Sequence, residues 1–145
     1  MYGAILRSLA ADRQIEYGEL TFFGDLRYSA SGKAVRKSLD RAADRVFRAS
    51  LKMPVDVYEG PAMNHSYHEM VIGRGRALST VLISEKPEKY APADFTADYH
   101  RAQFLATQMA LQERGRLVVS IGLKDLEESS LTVLEDFFKE AALAL

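Results

Sequence analysis

Apolar positions recur along the chain with two spacings, and these divide it into alternating helical and extended segments. Ile5, Leu6 and Leu9 predict a short helix over Tyr2–Asp12. From Ile15 to Tyr28 the pattern turns extended and rich in aromatic residues, with Gly24-Asp25 as a hairpin break or a bulge. The strongest helical pattern covers Gly32–Leu51, where Val35, Leu39, Ala42 and Val46 repeat on one stripe with Phe47 beside it. Ser31 fits as its N-cap, and Pro54 closes the segment.

Val55–Tyr58 alternates as a strand and stops at the turn dipeptide Gly60-Pro61. Residues 66–73 and 77–84 read as two further strands, joined by Gly73-Arg74-Gly75-Arg76 as a hairpin connection. Glu85–Ala91 reads as a surface loop. A second long helix is expected over Ala93–Arg114, with Phe95, Tyr99, Ala102, Leu105 or Ala106, and Met109 facing inward and Gly115 as its C-terminal cap. Arg116–Leu123 reads as a strand buried on both faces or nearly so. A last helix, opened by Asp125 and Glu128 at capping-box spacing, carries Val133, Leu134, Phe137, Phe138 and Ala141.

This order predicts an α+β fold. Its expected form is a mixed or antiparallel sheet with two long helices on one face, ferredoxin-like in outline, plus N- and C-terminal helices. With 145 residues and no linker or repeat, residues 1–145 are expected to form a single domain.

Composition narrows the chemistry. The chain has no cysteine, which excludes a disulfide framework, a thiolate metal site and a cysteine nucleophile. No signal-peptide pattern or long uncharged apolar run is present, so a soluble, cytoplasmic protein is expected. A formal net charge of −1 argues against a dedicated polyanion binder. That near neutrality hides a polarity: residues 33–52 carry a net +5 and residues 124–145 a net −4. The two segments are complementary, within one molecule, between copies, or toward a partner.

The candidate chemistry is sparse. His65, His68 and Glu69, with His100 and the neighbouring Tyr67, are the residues a metal or small-ligand site would draw on, because zinc sites take three or four such ligands. Solvated polar residues at a strand end explain the same group. Ser31 and Lys33 at a helix start, and Arg74 and Arg76 on a glycine loop, are candidate anion binders. The segment is no Walker A loop, and no Gly-x-Ser-x-Gly elbow exists. The pairs Glu127-Glu128 and Glu135-Asp136 suit a helix start and a helix surface better than acid–base catalysis.

These features favour a protein-binding module without catalytic activity, acting as a homodimer and needing no cofactor. Phe137, Phe138 and Leu145 are its expected interface anchors, and Arg41, Arg45 and Arg48 its orienting charges. The alternatives are an enzyme built on the histidine group and weak nucleic-acid association through residues 33–52. No membrane partner is expected.

Overall fold

The computed structural model describes residues 1–60, 66–73, 75–86 and 97–145, with the backbone alone at 66–68. Its elements are α1 (Tyr2–Ala11), β1 (Tyr17–Phe23), α2 (Ala30–Ala42), β2 (Val55–Gly60), α3 (Ser66–Gly73), β3 (Ala77–Ser84), α4 (Ala97–Glu113), β4 (Leu117–Leu123) and α5 (Glu128–Leu143). The four strands form one sheet in the order β2-β1-β3-β4, and every neighbouring pair is parallel. The fold is therefore α/β. The mixed or antiparallel ferredoxin-like sheet expected from the pattern is wrong.

One misread segment accounts for most of that error. Residues 66–73 are helix α3 and not a strand, so β2 and β3 are joined by a helical crossover. A crossover returns the chain to the same end of the sheet, which makes successive strands parallel, whereas a hairpin would reverse them. The glycine-arginine segment expected as a hairpin leads instead from α3 into β3; Arg74 lies outside the described residues.

Helices cover both faces, again unlike the single helical face expected. On one face α1, α2 and α5 pack over Leu20, Phe22, Leu78 and Leu82 and bury Leu6, Val35, Leu39, Val46, Phe47 and Phe138. On the other, Phe104 of α4 packs on Phe23 and Val81. Strands β1 and β3 lie between both layers and are buried almost throughout, as central parallel strands must be.

The helix expected over 32–51 begins at Ala30 and widens into a π-helix over Ala43–Leu51. It ends at Lys52, whose left-handed φ of 54° turns the chain toward β2. Ser29 caps the start, not Ser31: its hydroxyl accepts the Gly32 amide at 2.9 Å. Gly18 of β1 lets the Phe47 ring lie against the sheet; a Cβ there would sit 2.4 Å from the ring.

Helix α4 also corrects the expected burial. Its inner stripe is His100, Phe104, Thr107 and Leu111. Of the residues expected to face inward, Tyr99 is half-buried, whereas Ala102, Leu105, Ala106 and Met109 are exposed; Phe95 lies outside the described residues. Strand β4, expected to be buried on both faces, is instead a half-buried edge strand.

Candidate functional site

In a doubly wound sheet the strand order reverses at one point, and ligands collect beyond the carboxyl ends of the strands there. Here the reversal lies between β1 and β3. The segment after β1 is organised by Asp25, whose carboxylate accepts the amides of Arg27 at 2.8 Å, Tyr28 at 2.9 Å and Ser29 at 2.6 Å. Burial pulls this carboxyl upward, but the Ser29 donors and the Arg27 and Tyr28 amides outweigh it and hold the pKa at about 2. Amides that would otherwise meet an external anion are already bonded to this internal one.

Of the four candidate anion binders, Arg74 lies outside the described residues, and the other three do not converge. Ser31 and Lys33 sit in the first turn of α2, beyond the carboxyl end of β1. Arg76 precedes β3 at the opposite end of the sheet, paired with Glu16 at 3.0 Å. Of the candidate metal ligands, His65 and the side chain of His68 lie outside the described residues, as does the side chain of Tyr67. Glu69 is exposed on α3, and His100 is buried under α4 beside Tyr99. Among the described residues, no group of three or more His, Asp or Glu side chains could hold a metal ion.

A buried polar cluster occupies the α4 face of the sheet near the amino ends of the strands, and the sequence pattern does not reveal it. Glu19 of β1 is 1% exposed and lies between Asp56 of β2 and Ser79 of β3. Thr21 donates to one of its oxygens, and Ser79 donates to the other at 2.7 Å. Burial raises its pKa more than those two donors lower it, and the Asp56 charge adds to the rise. Tyr17 donates to Asp56, so the row reads as an internally satisfied network. Its one trace in the sequence is a glutamate and a threonine at alternate positions of an otherwise apolar strand.

The complementary charged segments meet inside one molecule. Arg41 bonds Glu135 of α5 at 2.9 Å, and Ser38 donates to the same carboxylate at 2.7 Å. Arg48 pairs with Asp44 at 2.5 Å and donates to the Val55 carbonyl at 3.0 Å, while Arg36 pairs with Asp40 at 2.9 Å. Arg45 is exposed. Of the three expected anchors, Phe138 is 1% exposed and packs edge-on to Tyr2, Phe137 is 37% exposed, and Leu145 lies half-buried against the core.

The two sheet edges differ sharply. Edge strands invite pairing with other chains, and proteins usually blunt them with charge, proline or a covering group. The β2 edge follows Pro54, carries Asp56 and Glu59, and has the Arg48 guanidinium on its first carbonyl. The β4 edge, Leu117–Leu123, has seven consecutive residues without a charge or a proline. Beside it α4 presents Leu105 and Met109, 49% and 59% exposed, which flank the Gln108 whose Oε1 accepts the Ser120 hydroxyl of β4. Between α4 and the carboxyl ends of β3 and β4 opens a cleft of about 580 Å³.

Comparison with known proteins leaves the fold as the common ground. No protein-family model matches the chain, and neither does any curated protein. Among solved structures, the hypothetical protein TT0462 from Thermus thermophilus superposes over 97% of this chain with a TM-score of 0.66 and 15% identity. The chain spans 38% of that protein's length.

Proposed function

We propose that this chain is a protein-binding module that associates through the β4 edge and the outer flank of α4, and that its first partner is a second copy of itself. The observation that carries this reading is an edge strand of seven residues without charge or proline, beside two exposed apolar side chains of α4. Open N–H and C=O groups on such an edge are complementary to an identical strand running antiparallel, and a two-fold axis closes the pair after two copies. The result is a continuous eight-stranded sheet, with Leu105 and Met109 of each copy packing above the seam. The contrast with the β2 edge supports the assignment: among the described residues, β2 carries two acidic side chains and a guanidinium on its first carbonyl, and β4 carries no such group.

This moves the interface away from the terminal helix. Phe138 is already committed to the core, and Arg41 and Arg48 are engaged by Glu135, Asp44 and the Val55 carbonyl of the same chain. We place the module in the cytoplasm. The lack of cysteine supports that setting, and no helix among the described residues is long and apolar enough to cross a membrane.

Sedimentation velocity over a micromolar concentration range tests the reading. The wild-type chain is expected to show a concentration-dependent dimer. Met109→Lys, at an exposed position, is expected to shift it to monomer, and Val119→Lys on β4 to do so more strongly. A wild type that stays monomeric throughout, or dimers in both variants equal to the wild type, would overturn it.

A further inference from the structure

The cleft between α4 and the carboxyl ends of β3 and β4 has a charge arrangement that the association reading does not use. Its volume of about 580 Å³ lies within the range of small-molecule sites. Phe104 and Ile83 supply an apolar floor, with Phe104 buried and Ile83 half-buried. Around that floor stand Arg101 and Asp98 from α4 and Glu85 from the end of β3, all three exposed. None of the three forms a side-chain hydrogen bond or ion pair with another described residue. Elsewhere on the described surface, Arg27, Arg36, Arg41, Arg48 and Arg76 each meet a carboxylate of the same chain.

Among the described residues, two carboxylates and one guanidinium stand around an apolar floor, and together they select a ligand. A purely anionic molecule would face both Glu85 and Asp98. A purely cationic one would satisfy the carboxylates but leave Arg101 beside a like charge. A molecule with one cationic nitrogen, one carboxylate and an apolar body meets every group: ammonium to Glu85 and Asp98, carboxylate to the Arg101 fork, body on Phe104. We infer that the cleft is a binding site for a small zwitterion of the amino-acid type with an apolar side chain.

Three probes of one shape separate the contributions: L-phenylalanine, phenethylamine and 3-phenylpropionate, each titrated at millimolar concentration against the isotope-labelled full chain. Backbone resonances report the site, chiefly those of Ser84, Glu85, Arg101 and Gly122. Saturable shifts confined to these residues are expected, with L-phenylalanine binding about tenfold more tightly than either single-charge probe. Arg101→Ala is expected to remove the advantage over phenethylamine, and Asp98→Asn to weaken L-phenylalanine binding while leaving 3-phenylpropionate unweakened. Both substitutions are at exposed positions, and an otherwise unchanged spectrum verifies the fold. No saturable shift with any probe overturns the site. Equal binding of phenethylamine and L-phenylalanine, unaffected by Arg101→Ala, overturns the zwitterion assignment. A variant that keeps the dimer but loses the shifts separates this inference from the association reading.

Discussion

Asp25→Asn isolates the charge that organises the segment between β1 and α2. The substitution keeps the side chain's shape and one acceptor oxygen, but places an amide NH₂ where the Ser29 amide now donates at 2.6 Å. The wild-type carboxyl lies at about 2 in the folded chain against an ordinary 3.8. By linkage that difference corresponds to about 2 kcal/mol of stability at neutral pH. Because the folded value is lowered, this contribution is complete well above pH 4 and is lost as pH falls toward 2. Urea unfolding of wild type and variant, followed by circular dichroism at pH 7, 5, 4 and 3, measures it. The variant is expected to be less stable by about 2 kcal/mol or more at pH 7, and the gap to shrink by about 1 kcal/mol by pH 3. Subtraction removes the titration of carboxylates common to both proteins. A gap that stays constant across that range would refute the assignment of Asp25 as an internal anion holding the loop amides.

Other substitutions test the remaining parts of the account. Glu19→Gln has the opposite sign: the folded carboxyl is raised, so wild-type stability falls as pH climbs above the unfolded value, at up to about 1.4 kcal/mol per unit until the folded pKa is reached. The glutamine variant is therefore expected to gain on wild type between pH 5 and pH 7 in thermal melts, and a variant that holds level with wild type or loses ground to it over that range contradicts the buried-carboxyl reading. Gly32→Ala is expected to destabilise by about 1–3 kcal/mol despite alanine's higher helix propensity. Its Cβ would stand 2.5 Å from the Asp25 carbonyl oxygen and 2.6 Å from its Oδ2, and a stabilised variant in urea melts would count against that packing. Phe138→Ala is expected to cost about 3–5 kcal/mol in the same assay, and Phe137→Ala far less, because only the first is fully enclosed by the core.

The elements themselves are largely legible in the sequence; their arrangement is not. Helical periodicity locates α1, α2, α4 and α5, and the apolar runs locate β2, β3 and β4 within a few residues. The failure comes at 66–73, where Met70, Val71 and Ile72 form a short apolar run with no second helical turn of pattern to oppose a strand reading. Because hairpins and helical crossovers impose opposite strand directions, that one segment decides between a parallel and an antiparallel sheet. The Asp25 loop is hidden for another reason: its order comes from three backbone amides turning onto one carboxylate, which leaves no periodicity.

Helix α4 shows a different limit. Its apolar residues lie on two faces, and periodicity cannot say which of them meets the sheet. The pattern favours Ala102, Leu105 and Met109 as the inner face, whereas the chain buries His100, Phe104, Thr107 and Leu111. The same holds for β4, whose uncharged run would suit a central strand and lies instead at an edge. These two misreadings fall on adjacent surfaces, and together they define the face proposed for association.

Amide hydrogen exchange across β4 at low and high protein concentration tests that proposal most directly. Pairing between copies predicts that the outward-facing amides of Leu117–Leu123 gain protection as concentration rises, while the amides of the β2 edge, Val55–Gly60, exchange unchanged. Equal exchange of the β4 amides at both concentrations, with no loss of protection in Met109→Lys, would contradict it.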